Sequence, residues 1–232
     1  MRRSMLQAKM FRSRRGMHVN TRYVAGVLIP DSPMARAATE LMRDSQSRLL
    51  FDASSRAFLF ASLIGESRAV RFDKDLLYVS ALFLRVGVTS LYRRSQQRFE
   101  VDSADAAVQF LRGYGRSGED RAQVWDAIAL HTTPGIPEHK PGITALLAAG
   151  VETDLLGTYC QALGPHALPL ILNEFPREPG FKSKFLDTLA RGQTHRAQST
   201  HGTINADVLR FHDRRFKIAD YCERLMASKW PY

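Results

Sequence analysis

The sequence predicts an all-α fold, in which one large domain is built as a single helical bundle. From residue 34 onward, hydrophobic residues recur every three or four positions, which is the spacing of amphipathic helices. The chain contains no strand-rich region, no hairpin signal and no internal repeat. We therefore expect one helical domain over 24–232, preceded by a basic arm over 1–23.

The first helices are marked by start and stop residues. Ser32 is a suitable N-cap, and Pro33 fits the first helical position. A second helix is predicted over 48–64, before Gly65. A third begins at Asp73, and its hydrophobic residues cover more than one face, as expected for a buried central helix that Gly87 could close.

The later helices are shorter. A helix over 103–111 ends before two glycines, and Ser117 can cap the helix over 119–130. Prolines and glycines concentrated in 134–142 indicate a loop. The remaining helices are predicted over 143–156, 165–174, 181–190, 205–211 and 216–226.

Positive charge is concentrated in the arm. The formal net charge is +10, and residues 1–22 hold basic residues and no acidic ones. These basic residues are Arg2, Arg3, Lys9, Arg12, Arg14, Arg15 and Arg22. The arm could be a solvated segment without fixed structure, a cleavable organelle-targeting segment, or a contact for nucleic acid or anionic lipid. Because no aromatic residues alternate with the basic ones, we do not expect nucleic acid as a partner.

Several classes of protein are disfavoured by what the sequence lacks. No hydrophobic run approaches the ~20 residues that cross a bilayer, so no membrane partner is expected. Cys160 and Cys222 form no CxxC pair, which favours a cytoplasmic location, or a mitochondrial one if the arm targets it there. The motifs GxGxxG, GxxxxGK[ST] and GxSxG are absent, which argues against Rossmann, P-loop and nucleophile-elbow enzymes.

Five separated segments resemble the cyanamide-hydratase-like branch of the HD-domain superfamily. They are IPDS (29–32), RFEVD (98–102), WDAIALHT (125–132), GVETDLLG (150–157) and FKSKFL (181–186). The resemblance extends from about residue 24 to the end of the chain. It implies a helical bundle around a divalent metal, zinc in the hydratases, which lowers the pKa of a bound water and polarises the substrate.

The chain departs from that pattern at the metal ligands. The resemblance implies a histidine where Ala53 stands, and a His-Asp pair where Leu84 and Arg85 stand. Alanine and leucine have no donor atom, and a protonated arginine repels a dication. His131 and Asp154 remain as ligand-type residues, whereas a catalytic zinc site usually has three protein ligands. We therefore expect no metal cofactor, unless other residues replace the missing ligands and hold zinc or another divalent ion.

Arg85 has three interpretations. Its guanidinium could fill the metal cavity and pair with Asp154, because a buried carboxylate needs a partner. It could instead extend to solvent, or bind an anionic ligand.

The candidate pocket also includes Arg56, Glu100 and Asp102. Asp102 could equally cap the helix predicted from residue 103. His131, at a predicted helix end, could simply bond to the backbone.

Three hypotheses about function follow. The first is a non-metal HD-like protein, either a pseudoenzyme or one whose pocket now binds a small molecule. The second is an active metal-dependent hydrolase or hydratase, acting on cyanamide-like or phosphate substrates. The third is a nucleic-acid-binding module with a basic arm. A homodimer through the hydrophobic segment 165–175 is also expected from the habit of helical HD proteins.

Overall fold

The computed structural model describes residues 22–218 and 221–228. The predictions for the basic arm fall almost entirely on residues outside this range. At its edge, Arg22 forms an ion pair with Glu174.

The described chain is mainly helical, which confirms the all-α prediction. Its α-helices are α1 (Pro33–Ser45), α2 (Arg48–Ser67), α3 (Lys74–Phe83), α4 (Phe99–Gly113), α5 (Gly118–Leu130), α6 (Ile143–Leu156), α7 (Ala167–Glu174), α8 (Phe181–Arg191), α9 (Asn205–His212) and α10 (Tyr221–Met226). Short 3-10 helices connect them at Val86–Val88, Ser90–Tyr92, Pro137–His139, Cys160–Ala162 and Thr194–Thr200. None of the described helices combines the length and apolar character that would let it cross a membrane.

A small hairpin precedes the helices, so the expectation of no hairpin was wrong. Strands β1 (Arg22–Val24) and β2 (Val27–Ile29) pair antiparallel, with Val24 opposite Val27. Ala25 and Gly26 connect them with φ of 50° and 83°, the left-handed pair typical of a two-residue hairpin turn. Strands of three residues are too short to show alternation, and alanine is an unusual residue at the first turn position.

Helix starts follow local side-chain chemistry. The Ser32 side chain accepts from the backbone N–H of Ala35, with Pro33 following at the first helical position, as predicted. Ser117 caps α5, as predicted, and the structure shows that it forms a capping box with Asp120. The start of α4 differs: it begins at Phe99, so Asp102 lies inside the first turn and does not cap a helix from residue 103.

Helix α2 is the central element of the bundle. All residues of 50–62 are buried. Helix α6 packs closely along it, since a Cβ on Gly150 would lie 2.3 Å from the carbonyl oxygen of Ala57. This close approach brings Asp154, one turn further along α6, next to Arg56 on α2.

Two hydrophobic clusters cover α2 from different sides. The main cluster is formed by residues of the hairpin and of helices α1 to α7. The smaller one lies beneath α8 and α9, and its buried members are Leu50, Ala53, Val88, Phe99, Phe185, Leu189, Ala190, Val208 and Leu209. The polar residues of α2 that lie between the clusters are therefore shielded from water.

Candidate functional site

A buried ion pair joins α2 to α6. Arg56 is fully buried, and its Nε and Nη2 donate to the two carboxylate oxygens of Asp154 at 2.7 and 3.2 Å. Its Nη1 donates to the carbonyl oxygens of Phe175 and Pro176, at 3.2 and 3.1 Å. This two-pronged geometry is the strongest form of arginine–carboxylate contact.

A second arginine shares the same carboxylate. Arg177 donates through Nη2 to Oδ1 of Asp154 at 2.8 Å and also to its backbone oxygen. The proposed pairing of Arg85 with Asp154 was therefore wrong: the partners are Arg56 and Arg177. The physical reason is the position of Arg85 in the turn after α3, whereas Arg56 extends from the helix that packs directly on α6.

Arg85 lies inside the protein and does not extend to solvent, since only 2% of it is exposed. Its Nη1 donates to the Ser54 hydroxyl at 3.5 Å, the outer limit of a hydrogen bond. The guanidinium carbon lies 5.1 Å from the ring centre of Phe185. Burial lowers the pKa of Arg85 to about 10, with Asp154 opposing and Arg56 adding to the shift. The group therefore stays protonated at neutral pH.

His131 is the C-cap residue of α5, and its Nδ1 lies 2.6 Å from the carbonyl oxygen of Ile128. The prediction of a backbone bond is thus confirmed. Burial, and then the charge of Arg85, lower the pKa of His131 to about 3. The ring is therefore neutral at pH 7, with its proton on Nδ1 and a lone pair on Nε2.

The residues at the expected metal position do not fit a metal ion. Ala53 and Leu84 are fully buried among hydrophobic side chains and offer no donor atom. Both oxygens of Asp154 already accept from Arg56. Over 22–218 and 221–228, no group of three or more His, Cys, Asp or Glu side chains is placed to hold a metal.

Glu100 and Asp102 belong to a different polar cluster. Glu100 accepts from the Thr132 hydroxyl and, at 2.8 Å, from the Asn205 amide. Burial raises the pKa of Glu100. Asp102 accepts from the Ser95 hydroxyl at 2.9 Å and from Arg196. Neither carboxylate forms a hydrogen bond with Arg56, Arg85 or Arg177 in the described chain.

Arg196 anchors this second cluster. It is 3% exposed, pairs with Asp102, and donates to the carbonyl oxygens of Gly87, Gln97 and Gly192. Burial raises the pKa of Asp102, and the bonds from Ser95 and Arg196 oppose that rise.

The aromatic residues that cover Arg56, Arg85 and Arg177 were not predicted from the sequence. Phe181 lies against two guanidinium groups, 4.8 Å from that of Arg56 and 5.5 Å from that of Arg177. Phe185, one turn along α8, covers Arg85. The spacing of two phenylalanines four positions apart signals a shared helix face, but not the cations beneath it.

A cavity of about 300 Å³ opens beside the buried ion pair of Arg56 and Asp154, where α6 ends and α8 begins. Its lining residues are Asp154, Leu155, Arg177, Gly180, Phe181, Lys182 and Ser183. Asp154 thus belongs to both the cavity wall and the buried ion pair.

The chain matches no protein-family model and no curated protein. The likeness to HD-domain proteins therefore stays a prediction from the sequence segments.

Proposed function

We propose that this chain is a metal-free HD-like protein whose central pocket binds a small molecule instead of supporting metal-dependent hydrolysis. The observation that carries the proposal is the engagement of Asp154 by Arg56, with Arg85 buried close by. A carboxylate held by two guanidinium groups is a poor ligand for a dication, and the surrounding positive charge opposes the entry of one.

The contacts among three helical segments support this interpretation. Ser54 of α2 bonds to Arg85 after α3, and Arg56 of α2 bonds to Asp154 of α6. These are the segments that the resemblance assigns to the metal site. Their convergence is what that assignment requires, and the side chains they bring together are those of a cationic centre.

Metal analysis of the purified protein tests the proposal directly. After equilibration with Zn²⁺, Mn²⁺ or Fe²⁺ and removal of the excess, we expect far less metal than protein. Near-stoichiometric metal that is lost on substituting Asp154→Asn would overturn the proposal and favour a working metal enzyme. Chelator-sensitive release of urea from cyanamide, or of phosphate from nucleotides, would lead to the same conclusion.

Restoring the missing ligands provides a positive test. The triple variant Ala53→His, Leu84→His and Arg85→Asp is expected to bind zinc close to stoichiometrically, with His131 or Asp154 completing the site. The matched control, Ala53→His with Leu84→His, keeps the guanidinium and is expected to bind little. A folded triple variant that binds no more zinc than this control would show that the segments are wrongly aligned with the family.

A further inference from the structure

Few of the donors of Arg85 and Ser54 have an acceptor within the described chain. A guanidinium group carries five N–H donors, and the described contacts of Arg85 include a single bond, the 3.5 Å one to Ser54. The Ser54 hydroxyl is fully buried, and within the described chain its proton has no acceptor. No Arg85 nitrogen is among the fully enclosed side-chain atoms without a partner in the described chain, so its unbonded donors border space that a small acceptor can reach.

The same centre carries excess positive charge. Three guanidinium groups, those of Arg56, Arg85 and Arg177, surround the single carboxylate of Asp154. The next carboxylate along α2, Asp52, accepts from Arg48 at 3.3 Å and also feels the charge of Arg56, so three guanidinium groups face at most two carboxylates. His131 is neutral and adds no negative charge. Because a buried charge without a counter-charge is costly, this arrangement favours the uptake of an anion.

We propose that Arg85 and Ser54 form an anion site, which binds the carboxylate or phosphate group of a small molecule at the centre of the bundle. The inference rests on the proposed function, since a metal at this position would compete with it. The anion accepts from the guanidinium fork of Arg85 and from the hydroxyl proton of Ser54. The ring of Phe185 covers the guanidinium and keeps its outer face away from water.

The cavity beside α8 lies next to the Arg56–Asp154 pair and is the side from which we expect an anion to approach, although Arg85 and Ser54 do not line it. Its wall includes Arg177, which is about one third exposed, and the exposed Lys182. Both side chains attract a negative group to the entrance. Asp154 at the back of the cavity connects it to the Arg56 pair, and α8 carries the phenylalanine that covers Arg85.

Calorimetric titration with sodium phosphate and sodium formate, at fixed pH and ionic strength, tests the site. We expect saturable binding of at least one probe to the unmodified protein. Substituting Arg85→Met should weaken it by about tenfold or more, and Ser54→Ala by about threefold, because charged hydrogen bonds contribute more than neutral ones. The control Arg191→Met, an exposed arginine on α8, should bind like the unmodified protein.

Two results would overturn the anion site. One is the absence of binding by either probe. The other is unchanged binding in Arg85→Met together with its loss in Arg177→Met or Lys182→Gln, which would place the anion in the outer cavity alone. If Arg85→Met does not fold, Arg85→Lys keeps the charge without the fork and should bind with intermediate strength. Metal analysis of the same preparations separates the outcomes, since a metal-free protein without anion binding contradicts only this inference.

Discussion

Two arginines in this protein, Arg196 and Arg85, are almost equally buried but differ in the number and kind of their hydrogen-bond partners. Arg196 meets a carboxylate, that of Asp102, and several backbone carbonyl oxygens. Arg85 meets a hydroxyl at 3.5 Å and the ring of Phe185. The first arrangement stabilises the fold by connecting segments that are distant in sequence. The second costs folding free energy, and such local departures from good pairing are expected at functional sites.

The largest loss of stability should follow from substituting Arg196, whose guanidinium group has a carboxylate and several carbonyl oxygens as partners. Arg196→Met leaves Asp102 buried without its cation and several carbonyl groups without a donor. We expect the free energy of unfolding to fall by about 3–5 kcal/mol, measured by urea denaturation. The control Arg191→Met removes an exposed i,i+4 ion pair with Asp187 and should change stability by less than about 0.5 kcal/mol. Equal effects of the two substitutions would contradict the structural role of Arg196.

A somewhat smaller loss is expected from Asp154→Asn. The amide removes the charge that balances Arg56 and Arg177, but its oxygen can still accept a hydrogen bond. We expect a loss of about 2–3 kcal/mol in the same assay. Adding Arg56→Met to this variant removes the uncompensated charge, so the double variant should lose less than the sum of the single changes. Strict additivity would show that the pair is not energetically coupled.

The third effect appears as a dependence on pH. The pKa of His131 is lowered from 6.5 to about 3, so between these values the unfolded chain binds a proton that the folded protein does not. Stability contributed by this group is therefore present above pH 6.5 and is lost as pH falls toward 3. The slope is at most about 1.4 kcal/mol per pH unit.

His131→Gln should remove that slope. Comparing its free energy of unfolding with that of the unmodified protein at pH 4, 5, 6 and 7 isolates the histidine, because Glu100 and Asp102 titrate in both proteins. Their pKa values are raised by burial, so they favour folding at low pH and act in the opposite direction. Parallel stability curves for the two proteins would show that the partly buried His131 ring is not desolvated enough to lower its pKa.

The sequence predicted most helices because their boundaries depend on neighbouring residues. Ser32 and Ser117 cap the helices they were expected to cap, and Asp73, predicted as a helix start, caps its helix in the same way, each through a bond to an N–H three residues ahead. The α4 start was missed because the Arg98 position carries no side-chain cap. The hairpin was missed because its strands are three residues long.

The partner of Asp154 could not be predicted in the same way. Arg56, Arg85 and Arg177 are all compatible with the sequence, and the choice depends on the rotation of α2 against α6 and on the path of the chain after α7. The segments carrying Arg56 and Asp154 are 98 residues apart. The sequence did predict that a buried carboxylate there would need a cation, which is a statement about energy and not about geometry.

The smallest effect, and the one that most sharpens the comparison, is expected for Arg85→Met in anion-free buffer. Removing this guanidinium leaves no carboxylate stranded, because Arg56 and Arg177 still hold Asp154. The methionine recovers much of the hydrophobic contact with Phe185 and removes the cost of burying a charge. Urea denaturation should therefore give a free energy of unfolding within about 1 kcal/mol of that of the unmodified protein, and a small increase is also consistent with this expectation. A loss as large as that of Arg196→Met would mean that Arg85 is a structural residue like its counterpart, and the contrast between the two centres would disappear.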